Sequence, residues 1–334
     1  MPRVIDVAPT FVLLLLAPLC GEVVTGSTPI LMFLNPIAML FEIGLYGFGA
    51  ILVRDLVRSR GLGWTSLLIL GAAYGVLEEG LVVTSWMNPH WPDAVSLGDR
   101  GRLLDINWIW AVGLTAFHAV ESIAVPIILT EALFPSRAAR AWLSDRGRRR
   151  VAVGLGVVCA IELLFFGFVQ FRSQGYSPPA SWVVALAIAA ALARYGLRHR
   201  FGAVVPWHVP SLWQLRAFAL LATFLFFGGL WALPSIVPIG IVPIAFIGVV
   251  LGFVAIRLRH WSAEAGWGDA QRLALATGVM SFFLGLAPLL EFSMRPAGKN
   301  TSGMTLFALA AVAFLAWLAR RTPAAKAAQP LTTT

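Results

Sequence analysis

The sequence predicts an all-α protein: a polytopic transmembrane helical bundle of about ten spans with both termini cytoplasmic. Three observations predict it. The chain of 334 residues is 59% hydrophobic and only 12% charged, whereas soluble domains carry about 25% charged residues. Apolar stretches recur at 8–21, 33–55, 64–87, 106–134, 151–171, 180–197, 212–232, 235–256, 271–292 and 303–320, most of them near the ~20 residues a helix needs to cross a bilayer. The basic residues alternate with these stretches. With the N-terminus inside, 20 of the 25 fall on the inner side, and Arg100, Arg102, Arg172, Arg295 and Lys299 fall on the outer, as the positive-inside rule requires.

The elements follow in order. The first stretch, FVLLLLAPLC after Arg3, has the look of a signal-peptide core. No small-x-small cleavage site follows it, so it is read as a short retained span. The fourth stretch is long, and Pro126 is its expected kink. Inner loops are short and basic (VRSRG, RHRFG, RLRHW). Outer loops, at 26–29, 88–93 and 173–179, are richer in turn formers and aromatics, with Trp86, Trp91, Trp108 and Trp110 expected at the interface. The expected organisation is one transmembrane domain over 1–321. Its polar site lies in the spans of 33–171, an apolar bracing half covers 180–320, and a disordered cytoplasmic tail covers 322–334. Two five-span halves of this kind have inverted topology, as in some transporters, although their residues show no similarity.

The net charge of +9 is accounted for by topology, so nucleic acid is not an expected partner. The expected location is a bacterial cytoplasmic membrane. The expected partners are the lipid bilayer and an apolar or lipid-linked small molecule or membrane peptide. Cys20 and Cys159 sit in apolar runs and read as small core residues. No His-Glu-x-x-His run, Cys-x-x-Cys pair, phosphate loop or nucleophile elbow occurs, so neither a metal nor a cofactor is expected.

The chemistry is concentrated in the third and fourth spans. Glu78 and Glu79 are adjacent carboxylates inside LILGAAYGVLEEGLVVTSW, and His118 and Glu121 follow on the next span. An isolated charge at the bilayer centre costs at least ~2.5–3.5 kcal/mol, so four polar groups at one level need a reason. Helical spacing puts His118 and Glu121 (i, i+3) on one face, where Glu121 can hold an imidazole nitrogen. Glu78, Glu79, His118 and Glu121 are the expected catalytic set. Tyr74, which shares a face with Glu78, and Glu42 and Glu162 at similar depth are expected to meet the substrate. Glu22, Glu131 and Glu291 are read as helix caps or arginine partners. Gly71, Gly75 and Gly80 line the third span and permit close helix approach.

The pair Glu78-Glu79 on one helix with His118 on the next resembles the CAAX-prenyl protease and bacteriocin-processing membrane proteases. The resemblance implies hydrolysis inside the membrane, with Glu78 or Glu79 as general base and His118 binding water or the oxyanion. It covers two short segments. Val83 stands where that family has arginine, Leu114 where it has phenylalanine, and Leu212 follows His208 where it has Asn or Asp.

The leading expectation is therefore a membrane-embedded, hydrolase-type enzyme acting on an apolar, lipid-linked or peptide substrate. The alternatives are a proton-coupled secondary transporter using the buried carboxylates and a polyprenyl or terpene cyclase with a neutral glutamate as acid.

Overall fold

A computed structural model describes residues 6–166, 175–176, 179–293 and 298–322. The helices are α1 (Val7–Pro18), α2 (Ile30–Phe33), α3 (Pro36–Glu42), α4 (Phe48–Ser59), α5 (Trp64–Gly75), α6 (Trp108–Phe117), α7 (Val125–Leu133), α8 (Asp145–Phe165), α9 (Trp182–Arg198), α10 (Leu212–Phe227), α11 (Leu233–Ile236), α12 (Ile241–Trp261), α13 (Asp269–Phe292) and α14 (Met304–Arg321). A two-stranded hairpin, β1 (Arg102–Leu103) with β2 (Ile106–Asn107), precedes α6. In a bilayer every backbone polar group must be satisfied within the segment, and apolar runs of this length satisfy them as helices.

All ten predicted stretches are helical over most of their described length. Among the described residues, seven helices are long and apolar enough to cross a membrane: Pro36–Ser59, Trp64–Val82, Trp108–Leu133, Leu212–Ile236, Ile241–Trp261, Asp269–Phe292 and Met304–Arg321. The other three predicted stretches fall short for physical reasons. Val7–Val23 is a shorter apolar helix. α9 has 17 residues and so reaches about 26 Å, against a hydrocarbon core of about 30 Å. α8 begins DRGRRR, and the stretch predicted to extend it to 171 lies outside the described residues beyond 166. So does the predicted tail from 323.

The second span starts later than predicted, at Pro36. Asn35 stops α2 and caps α3 by accepting from Ile37 N at 3.0 Å and Ala38 N at 3.3 Å, and Pro36 occupies the first turn, where no donor is needed. The eighth begins at Ile241 rather than 235, because the preceding residues finish α10 and form α11.

Several helices are interrupted by widened, π-type turns: Leu19–Val23 after α1, Ile43–Gly47 between α3 and α4, Val76–Val82 after α5, His118–Ala124 between α6 and α7, and Gly228–Ala232 after α10. The bonding there reaches five residues back, as from Val83 N to Glu78 O and from Val24 N to Leu19 O, both at 2.9 Å. Pro126, expected to kink its span, sits in the first turn of α7 just after such a turn.

Small residues set the helix spacing. A Cβ on Gly71 would lie 2.9 Å from Ala119 Cα, and one on Gly278 would lie 2.3 Å from the Arg216 carbonyl oxygen. The α5/α6–α7 and α10/α13 pairs therefore touch backbone to backbone.

The arginine-rich end is tied by side chains as well as by topology. Arg54 is fully buried and meets Glu131 at 3.1 Å, while Arg58 reaches the same carboxylate at 2.6 Å. Arg54 also donates to the carbonyls of Arg140 (2.7 Å) and Ala138 (2.6 Å) and lies under Trp142 at 3.5 Å. Glu131 is thus an arginine partner, as its sequence position suggested. Glu291 is a cap: its carboxylate accepts from Gly303 N at 2.7 Å and Thr305 N at 2.8 Å, fixing the start of α14.

Candidate functional site

The widened turns after α5 and α6 face each other at the level where Gly75 lets the two helices close. They bring Glu78, Glu79 and His118 together, all buried. His118 Nε2 is 3.0 Å from Glu79 Oε1, and Nδ1 is 3.2 Å from Glu78 Oε2 and 2.9 Å from Ser122 Oγ. Adjacent glutamates on a regular helix diverge by ~100°. In the widened turn both reach one imidazole, each at a different ring nitrogen.

Glu79 is held from behind. Ser85 Oγ donates to Glu79 Oε2, and Trp110 Nε1 donates to Ser85 Oγ at 3.1 Å. Ser85 gets there because the chain leaves the helix through Thr84 at φ 53°, a left-handed conformation unfavourable for a β-branched residue. Strain of this kind persists where the surroundings enforce it, and it clusters at functional sites. Trp86 and Trp110 are buried at 1% and 6% exposure. Trp110 hydrogen-bonds in the site and Trp86 packs against Gly80; neither is the interfacial anchor its position suggested.

The cluster forms the floor of a cavity of about 1100 Å³. Every widened turn named above supplies at least one lining side chain: Glu22, Tyr46, Glu78 with Glu79, His118, and Leu230 with Trp231. π-type turns often mark functional sites, and here they rotate polar groups inward without breaking the helices. A second polar pair adjoins the cluster. Tyr46 donates to Glu22 Oε1 at 2.5 Å, and Thr28 donates to Glu22 Oε2 at 2.7 Å and to Glu42 Oε1 at 3.3 Å. Glu22 therefore belongs to the cavity. Its place near the end of a span made it read as a cap.

Of the residues expected from the sequence, Glu42, Glu78, Glu79, His118 and Glu162 line the cavity. Glu121 and Tyr74 do not. Glu121 is buried, yet neither of its carboxylate oxygens has a hydrogen-bond partner among the described residues. A turn closed five residues back carries more residues per revolution. The i+3 side chain then falls off the His118 face, and the i+4 residue, Ser122, takes the place predicted for Glu121. Tyr74 is buried behind the histidine, edge-on at 6.3 Å between ring centres. It fills the gap left by Gly49, where a Cβ would lie 2.2 Å from its ring.

The walls are apolar. Phe117, Phe227 and Phe283 meet edge to face, with centres 5.1–6.3 Å apart, so α10 and α13 of the second half help to enclose the site. Leu31, Met32 and Ile37 of the α2–α3 segment line the cavity and are exposed. At the arginine-poor end, Asp93 and Lys299 both line the cavity and lie 3.5 Å apart. The nearby His90 forms part of a turn, its N–H donating to Asn88 Oδ1 at 2.9 Å.

A family model described as an uncharacterized membrane protein family matches residues 11–329. No curated protein and no solved structure matches the chain. The comparison thus shows a multi-pass membrane protein and gives no match to the paired-glutamate proteases.

Proposed function

Since the chain belongs to that uncharacterized membrane protein family, its activity is to be read from its site, and we propose that it is a membrane-embedded hydrolase of amphiphilic substrates. One observation carries the reading. An imidazole flanked by Glu78 and Glu79 forms the floor of a cavity with aromatic walls and an Asp93–Lys299 pair at its arginine-poor end. The floor offers proton acceptors beside a group that relays protons. The walls suit an acyl or prenyl chain, and the charged pair suits a polar headgroup or peptide. The exposed apolar side chains of the α2–α3 segment that line the cavity are the route from lipid.

In this reading a water oxygen adds to the acyl carbon while Glu79 takes the water proton. His118 passes a proton to the leaving oxygen, nitrogen or sulfur, and the acyl bond to that atom breaks. Glu78 and Ser122 orient the ring at Nδ1. Tyr46 and Glu22 face the same space and can position the substrate. The arginine distribution supports a cavity opening toward the outer leaflet of a bacterial cytoplasmic membrane, with both termini cytoplasmic. The pairing of Glu78-Glu79 with His118 gives the same chemistry as the protease resemblance.

The test needs no prior substrate. Purified protein is reconstituted into vesicles of total bacterial membrane extract in water labelled with heavy oxygen, and products carrying the label are sought by mass spectrometry. Wild-type protein is expected to label a discrete product. Glu79→Gln, folded by size exclusion and circular dichroism, is expected to lose about 100-fold or more of that rate, the scale of general-base catalysis. Absence of any labelled product, together with uptake driven by a pH gradient, would replace the hydrolase by a transporter.

A further inference from the structure

The cavity holds more negative groups than positive ones. Glu22, Glu42, Glu78, Glu79 and Glu162 line it, and no arginine lines it among the described residues. Lys299 lies beside Asp93. Carboxylates removed from water are tolerated when they are paired or hold a metal. One donor atom each from Glu78, Glu79 and His118 lie within 4.8 Å of one another.

The surroundings of these three are those of metal ligands. Metal-bound histidines and carboxylates are oriented by outer hydrogen-bond partners. Glu79 Oε2 has Ser85, itself held by Trp110. His118 Nδ1 has Ser122 Oγ at 2.9 Å. Glu78 is 3% exposed, and its Oε2 is 3.2 Å from Nδ1, with no hydrogen bond among the described residues.

We infer that Glu78, Glu79 and His118 bind one zinc ion, through one imidazole nitrogen and one oxygen of each carboxylate, with the fourth position facing the cavity. Three protein ligands and one open position are the pattern of catalytic zinc. Calcium takes six to eight oxygen ligands and magnesium near-octahedral oxygen coordination, which two carboxylates and an imidazole do not offer. The inference deepens the hydrolase reading and rests on it only for the consequence: an ion there would supply a water acidified to near neutrality, and Glu79 and His118 would then act as its ligands in place of the base and proton donor named above. Binding itself does not depend on hydrolysis.

The experiment uses full-length protein carrying a histidine-free affinity tag, purified in detergent and stripped with a chelator. Zinc is added back, and bound metal is measured by mass spectrometry and titration calorimetry, with magnesium and calcium as competitors. The expected result is about one zinc per chain, undisturbed by millimolar magnesium or calcium. Glu78→Gln, Glu79→Gln and His118→Ala are expected to abolish it. Ser122→Ala, which leaves the ligands in place, is expected to weaken it by about 10-fold or more. Glu291→Gln, a carboxylate remote from the cluster, is expected to leave it unchanged. Failure of wild type to bind zinc, or retention of stoichiometric zinc by the ligand variants, overturns the inference. Heavy-oxygen labelling by chelator-stripped protein that binds no zinc keeps the hydrolase and removes the metal. Zinc binding without labelling keeps the metal and removes the hydrolase.

Discussion

Gly75 sits directly against His118: a Cβ added to the glycine would lie 2.9 Å from His118 Cβ and 3.3 Å from Thr115 backbone atoms. The approach of α5 to α6 that brings both glutamates to the imidazole thus depends on a missing methyl group. Gly75→Ala is expected to destabilise the protein by about 1–3 kcal/mol, the range for overpacking a close contact, and to depress activity. Gly285→Ala, with nothing within 4 Å of the new Cβ, is expected to be neutral or slightly stabilising. Thermal unfolding in one detergent compares the two.

Arg54 and Glu131 make the second test. The pair is 3.1 Å apart, with Arg54 fully buried. Removing one partner of a buried pair costs about 3–5 kcal/mol because the other charge is stranded. Here Arg58 also reaches Glu131, so Arg54→Met is expected to fall at the low end and Glu131→Ala at the high end. Denaturation midpoints in mixed micelles check the order. A smaller loss for Glu131→Ala than for Arg54→Met would refute it.

Ser122 and Glu121 exchange the roles that regular helical spacing assigns them. Glu121→Gln is expected to leave labelling activity within about twofold of wild type. Ser122→Ala loses a hydrogen bond to the imidazole, a net contribution of about 0.5–1.5 kcal/mol, and is expected to slow turnover by about 2- to 10-fold. A larger effect at Glu121 would mean that the widened turn is wound differently in the membrane.

Glu291 separates structural from functional carboxylates. Its two bonds to the first turn of α14 should make Glu291→Ala cost about 1–2 kcal/mol, with turnover per folded molecule unchanged. Hydrogen exchange at the α14 N-terminus is expected to rise in the same variant.

Much of this was legible in the sequence. Apolar run length locates the helices, and the position of Glu131 and Glu291 near span ends marks them as arginine partners or caps, without naming the partner. The convergence of Glu78, Glu79 and His118 was legible as equal depth on neighbouring spans. What was hidden has one main cause. Spacing arguments assume 3.6 residues per turn, and the cluster lies in turns that do not obey it, so the spacing puts Glu121 on the His118 face that Ser122 occupies and gives no sign that both glutamates reach one imidazole. Ser85 lay past the apparent polar core and is recruited only through the left-handed Thr84. Glu22 was masked by its place near a span end. An acid within reach of Tyr46 on the neighbouring helix was the available clue, but it needs the helix pairing to be seen.

The widened turns also mean that each of these helices changes phase partway along. A face read from one end does not continue to the other, so a single wheel drawn through α5 and its extension merges two unrelated stripes.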